Sequence, residues 1–265
     1  MTSRKVRGTL CPTVLPARVV PTRLETNLDA LCERVERALE RAQRPPGSLQ
    51  LVAVTKSVGP AAALDLARLF AKRGLAVELG ENRVTELEQK AQQFQAEQVP
   101  ARWHLIGHLQ RNKARRALQH AAVLHSVDSP RLLDALQRVA EEADRRVEVY
   151  LEVELTGIAG RTGFAAGEAA AAVVHARQLE RIELVGLMTM GPPPAADPAP
   201  TRAAFARLRG LRDDLARELP SAFGGRPARL SMGMTSDFEA AILEGSDCVR
   251  IGSALFEGVV TEAAR

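Results

Sequence analysis

The chain of 265 residues is poor in aromatic side chains, which make up 3% of it, with one tryptophan and one tyrosine. Its core must be built from aliphatic residues and alanine. That suits helices packed on a parallel sheet better than an aromatic-rich β-sandwich. Cysteine is scarce too. Cys11, Cys32 and Cys248 are odd in number, far apart, and form no CxxC. This excludes a disulfide framework and a thiolate zinc site, and fits a reduced, cytoplasmic protein. No HxH or HxxE cluster offers another metal site. No apolar run approaches the ~18 residues of a membrane span, so no membrane association is expected.

Acid is missing from one region. Residues 1–24 hold Arg4, Lys5, Arg7, Arg18 and Arg23 and no Asp or Glu. The whole chain has 36 Lys and Arg against 32 Asp and Glu, so without those five bases the rest stands at 31 against 32. A nearly neutral body gives no support to nucleic-acid binding. Prolines at 12, 16 and 21 break up any signal-peptide core. Residues 1–23 read as a flexible basic extension, dispensable for binding, ahead of one domain over residues 24–265.

What is present is a regular alternation. Leu24, Leu28, Leu31, Val35 and Leu39 have helical spacing. The apolar run from Leu51 to Lys56 reads as a first strand, and Pro60 and Gly74 suit the start and C-cap of the next helix. Strands are expected at residues 76–80, 102–107, 123–127, 148–155, 182–188, 228–231 and 247–252. Helices are expected at 81–95, 110–119, 130–145, 167–178, 201–219 and 236–244. The segments 157–164 and 191–200 read as loops. Eight βα units point to an α/β fold, a single closed (β/α)₈ TIM barrel. A doubly wound sheet would need a glycine fingerprint after strand one, and Lys56-Ser57-Val58-Gly59-Pro60 is not one.

Barrel chemistry sits at the C-terminal ends of the strands. Those ends carry Lys56, Gly80-Glu81-Asn82, His104, Met188-Thr189, Ser231 with Gly233, and Arg250 with Gly252-Ser253. Strand alternation puts Val52, Val54 and Lys56 on one face, and Cys248, Arg250 and Gly252 on another inward face. An inward arginine needs an acceptor, either a bound ligand or Glu81 in a structural pair. Ser231-Met232-Gly233-Met234 and Gly252-Ser253 each precede a helix, where backbone amides can take a phosphate, although capping alone also places serines there. A lysine opposite a phosphate cradle suggests pyridoxal 5'-phosphate (PLP) held as a Schiff base. The alternatives are a racemase of the same fold, or a barrel for a plain phosphorylated metabolite with Lys56 as counter-ion.

The motifs then point to a family. Ala53-Val54-Thr55-Lys56, Gly80-Glu81-Asn82-Arg83-Val84, the WHLIGHLQRNK block from Trp103 to Lys113, Gly186-Leu187-Met188-Thr189-Met190, the SMGMTSDFEAAI block from Ser231 to Ile242, and Val249-Arg250-Ile251-Gly252-Ser253 resemble the pyridoxal phosphate homeostasis proteins. The resemblance covers about residues 24–258. It implies a barrel similar to the N-terminal domain of alanine racemase, without that enzyme's second β-domain, and Lys56 as the Schiff-base lysine. It implies phosphate contacts from Ser231, Gly252 and Ser253, and Arg250 against the ring nitrogen. Asn82, His104 and Met234 fall at positions lining the family's cofactor pocket. Ser253 stands where many relatives have threonine, which keeps the hydroxyl. The function expected is intracellular PLP homeostasis or carriage by a monomer without classical turnover, with PLP-dependent apo-enzymes as recipients. Racemisation needs a base on each face of the intermediate, and the one tyrosine, Tyr150, starts strand five, remote from the mouth.

Overall fold

The computed structural model describes residues 22–193 and 197–259. The basic extension expected over residues 1–23 therefore falls almost wholly outside the described residues. Thr22 and Arg23 belong to the first helix: Thr22 caps α1 (Arg23–Arg41) in a reciprocal box with Glu25, and Leu24, Leu28, Leu31 and Leu39 are buried beneath it.

The barrel strands are β1 (Gln50–Val54), β2 (Glu78–Glu81), β3 (Arg102–Leu105), β4 (Ala121–Val127) and β5 (Val147–Glu154), followed by β7 (Ile182–Met188), β8 (Arg229–Met234) and β9 (Cys248–Ile251). They pair in parallel in that order, and β9 returns to pair with β1, so the ring closes. The two-residue β6 (Phe164–Ala165) lies against the end of β5, outside the ring. The helices α2 (Pro60–Lys72), α3 (Val84–Ala96), α4 (Ala114–His120), α5 (Pro130–Glu142), α6 (Ala169–Arg177), α7 (Ala199–Glu218), α8 (Phe238–Leu243) and α9 (Ser253–Phe256) follow their strands. The eight-unit (β/α) barrel expected from the alternation is the observed fold.

Departures from the sequence reading have local causes. Glu81 ends β2 rather than opening a helix: the Thr55 hydroxyl donates to its carboxylate at 2.6 Å and Lys90 pairs with it, so it is fully buried and α3 starts three residues later. The segment 157–164 ends in β6, because Phe164 is buried against β5. The helix expected at 110–119 begins as a 3₁₀ turn, Arg111–Lys113. Strand β8 runs three residues past Ser231, through Gly233.

Two cores result. A large aliphatic core fills the space between the strands and the helices, with Ala53, Leu79, Leu105, Leu124, Leu151, Leu187, Leu230 and Ile251 on the outward faces. Inside the ring, Val123, Tyr150 and Met188 form a small separate apolar cluster. The interior also holds a polar set, Glu78, His104, His125, Ser231 and Arg250, beside the inward Val52 and Val54. Among the described residues, no helix is long and apolar enough to cross a membrane, and no group of three His, Cys, Asp or Glu could hold a metal.

Candidate functional site

Arg250 is a buried charged group in the mouth. It lies on β9 level with Val52 of β1 and is 5% exposed. Its Nη1 donates to Ser231 Oγ at 2.6 Å and its Nη2 to the Thr189 carbonyl at 3.2 Å. No carboxylate among the described residues lies within ion-pair distance of it. The alternative of an Arg250–Glu81 pair is overturned: Glu81 is held by Lys90, whose Nζ also donates to the Thr55 carbonyl at 2.7 Å. A guanidinium stays protonated in proteins, so Arg250 is a buried cation satisfied only by a hydroxyl and a carbonyl. Burial pulls its pKa below the ordinary value.

Around it stand the other expected residues. Lys56 lies two positions past the end of β1 and is exposed, and its amine has no hydrogen-bond or ion-pair partner among the described residues. Asn82 is half-buried just past β2, Met234 half-buried at the end of β8, and Gly252 half-buried with Ser253 exposed after β9. Gly233 has φ +98°, and a Cβ there would come 2.6 Å from the Ala241 side chain, so only glycine lets β8 turn into α8. A Cβ on Gly252 would meet the Val54 carbonyl at 3.0 Å, so that turn brings its backbone against β1 beside Lys56. The helices behind the turns have only six and four residues, so backbone amides rather than a long helix dipole are on offer. The amides of Thr235 and Ser236 donate to no protein acceptor among the described residues.

His104 and Ser231 sit lower than expected of rim residues. Both are buried, and both ring nitrogens of His104 are engaged, Nε2 with Glu78 at 2.5 Å and Nδ1 with His125 at 2.8 Å. His104 meets the site only through His125, which contacts Ser231 Oγ at 2.8 Å. Tyr150, the chain's one tyrosine, is stacked on His125 with centroids 4.6 Å apart, in register two positions below Ser231.

Three contributors escaped the sequence reading. Asp237 accepts from the Met234 amide at 2.6 Å and braces the β8 turn. His125 links the interior chain, though its place in an apolar strand gave no sign of it. Glu152 of β5 is 3% exposed, and burial and the Asp128 charge push its pKa up to about 7. The alternation of β5 could have placed Glu152 inward, but not its environment.

The alanine racemase N-terminal domain family matches residues 26–259. A pyridoxal phosphate homeostasis protein of Pseudomonas aeruginosa is 37% identical over 230 residues, covering 87% of this chain and 93% of that one. One of Aquifex aeolicus is 35% identical over 229 residues, covering 86% and 95%. The structure of PipY from Synechococcus elongatus PCC7942 with PLP bound superposes with a TM-score of 0.71 at 35% identity, covering 85% of this chain and 99% of that one. The chain belongs to the pyridoxal phosphate homeostasis protein family, a single barrel of the alanine racemase N-terminal-domain type.

Proposed function

We propose that the protein binds PLP in the barrel mouth and serves intracellular PLP homeostasis, holding the cofactor as a Schiff base on Lys56. The observation that carries this is Arg250, a buried cation with neutral partners only, beneath a rim that offers one free amine and two amide-lined turns. The donor set fits the group. Lys56 can condense with an aldehyde, Arg250 can donate to a ring nitrogen, and the turns Ser231–Met234 and Gly252-Ser253 can hold a phosphate. Asn82 and Met234 line the wall between, and His104 supports it from below. PLP-bound PipY and the names of the homologues support the same reading.

When bound, the group supplies an electrophilic carbon and a conjugated ring; the protein supplies retention. Arg250 holds a ring nitrogen without handing over a proton, because guanidinium remains charged. That leaves a weak electron sink and argues for a carrier rather than an enzyme of classical turnover. Tyr150, buried below Ser231, is in no position to act as a second base. The recipients on this reading are PLP-dependent apo-enzymes. Among the described residues the exposed large apolar side chains are Leu75, Ile158 and Val174, well separated in sequence, which supports a monomer. The free thiols Cys32 and Cys248 suit a reducing cytoplasm.

The test is spectroscopic. The purified protein should absorb as a Schiff base, and borohydride should fix a pyridoxyl adduct on the peptide containing Lys56. Lys56→Ala should fold and lose the band. An adduct on Lys72, Lys90 or Lys113 would overturn the assignment. Incubation with L-alanine should yield no D-isomer at the ~1 s⁻¹ of ordinary enzymes; such turnover, lost in Lys56→Ala, would promote the racemase.

A further inference from the structure

A continuous chain of side-chain hydrogen bonds runs up the inside of the barrel. Glu78 Oε2 meets His104 Nε2 at 2.5 Å, His104 Nδ1 meets His125 Nε2 at 2.8 Å, His125 Nδ1 meets Ser231 Oγ at 2.8 Å, and Ser231 Oγ meets Arg250 Nη1 at 2.6 Å. It crosses five strands: β2, β3, β4, β8 and β9. The three members between its ends, His104, His125 and Ser231, are at most 1% exposed. None of these groups is needed to close the barrel, and an apolar interior would avoid the cost of burying them.

The two ends fix the direction of every bond between them. Burial alone would raise the Glu78 carboxyl. The hydrogen bond with His104 and the nearby Arg102 charge act against burial, and its pKa lies below the ordinary value, so Glu78 only accepts. Burial pushes the pKa of His104 down, and that of His125 well down, so both rings are neutral, with one N–H each. His104 must spend its N–H on Glu78, through Nε2. Its bare Nδ1 then accepts from His125 Nε2–H, and His125 Nδ1 accepts the Ser231 hydroxyl proton. Arg250 can only donate, and the Ser231 oxygen takes its proton. The reverse direction would need one more buried proton, on Glu78 or on a His104 imidazolium.

We propose that Glu78, His104 and His125 are positioning residues that draw the Ser231 proton downward and leave its oxygen to hold Arg250. Ser231 then has no proton to give a phosphate, so the phosphate rests on the backbone amides of the β8 and β9 turns. Ser231 acts on the ring end of the cofactor, through Arg250. The ligand half of this inference rests on the PLP reading above; the hydrogen-bond direction does not.

Two experiments decide it. The first uses ¹⁵N-histidine-labelled protein without cofactor, with long-range NMR correlations at neutral pH and His125→Phe for assignment. His104 and His125 should both be neutral Nε2–H tautomers. An imidazolium at His104, or an Nδ1–H form at either ring, overturns the direction whether or not PLP binds. The second measures affinity for PLP and for pyridoxal, which lacks the phosphate, in Ser231→Ala and His125→Phe. Each variant should bind both ligands about tenfold more weakly, with the PLP-to-pyridoxal ratio unchanged. Loss of PLP affinity with pyridoxal unaffected would make Ser231 a phosphate donor and sink the proposal. So would full affinity for both ligands in His125→Phe. Should that variant not fold, Ser231→Ala and the tautomers still decide.

Discussion

Two buried cations stand within the same barrel and are satisfied in opposite ways. Lys90, on α3, is 4% exposed and reaches inward to Glu81 and the Thr55 carbonyl. Arg250, on β9, is 5% exposed and has a hydroxyl and a carbonyl as its partners. The first charge is neutralised within the protein and ties α3 to the end of β1 and β2. The second is left to be neutralised from outside. A buried ion pair that loses one member strands the other, whereas a cation with neutral partners strands nothing charged when removed. Compensation therefore separates a brace from a binding group where burial alone cannot.

The largest effect should follow from breaking the brace. Lys90→Met leaves the buried Glu81 carboxyl without its cation, with its Oε2 already without a partner among the described residues. The cofactor-free protein should lose ~3–5 kcal/mol, read from its urea midpoint. Glu81→Gln combined with Lys90→Met should recover most of that loss. An unchanged midpoint in Lys90→Met would show that the pair contributes nothing.

Arg250→Met should behave in the opposite manner. Stability of the cofactor-free protein should move by no more than ~1 kcal/mol, since only neutral groups lose a partner. PLP affinity should fall by about 10²-fold, the worth of a hydrogen bond from a charged donor. Strong destabilisation with unchanged affinity would make Arg250 a second brace.

This contrast also marks what could be read from the chain. The barrel was legible because βα alternation is a period written into every segment, and Lys56, Asn82, Gly252 and Ser253 follow from being at strand ends. The pairing of Glu81 was not. On sequence it borders both a strand and a helix, and the choice is made by Lys90 nine residues on and by Thr55 just past the end of β1. His125 was missed for a like reason. A histidine in an apolar strand gains meaning only when register sets it between His104 and Ser231, 21 and 106 residues away. Strand ends are local information; interior partners are not.

The smallest effect concerns a buried acid that feels the Arg250 charge, Glu152. Glu152 and Arg250 feel each other's charge, but burial and Asp128 dominate and keep the Glu152 pKa at about 7 against an ordinary 4.5. Below about pH 4.5 this acid is neutral whether folded or unfolded, and costs nothing. Between about 4.5 and 7 the unfolded chain gives up the proton and the folded one retains it, so stability falls as pH rises. Above about 7 the penalty is complete. Glu152→Gln should thus leave stability near pH 4 unchanged and raise it at pH 8 by ~1–2 kcal/mol, less than the full shift converts to, because a carboxyl near the mouth can rehydrate. Urea midpoints at the two pH values check this. If the substitution instead lowered stability at pH 8, Glu152 would be ionised and paired with Arg250. The arginine would then be compensated from within, and the distinction between the two cations would be lost.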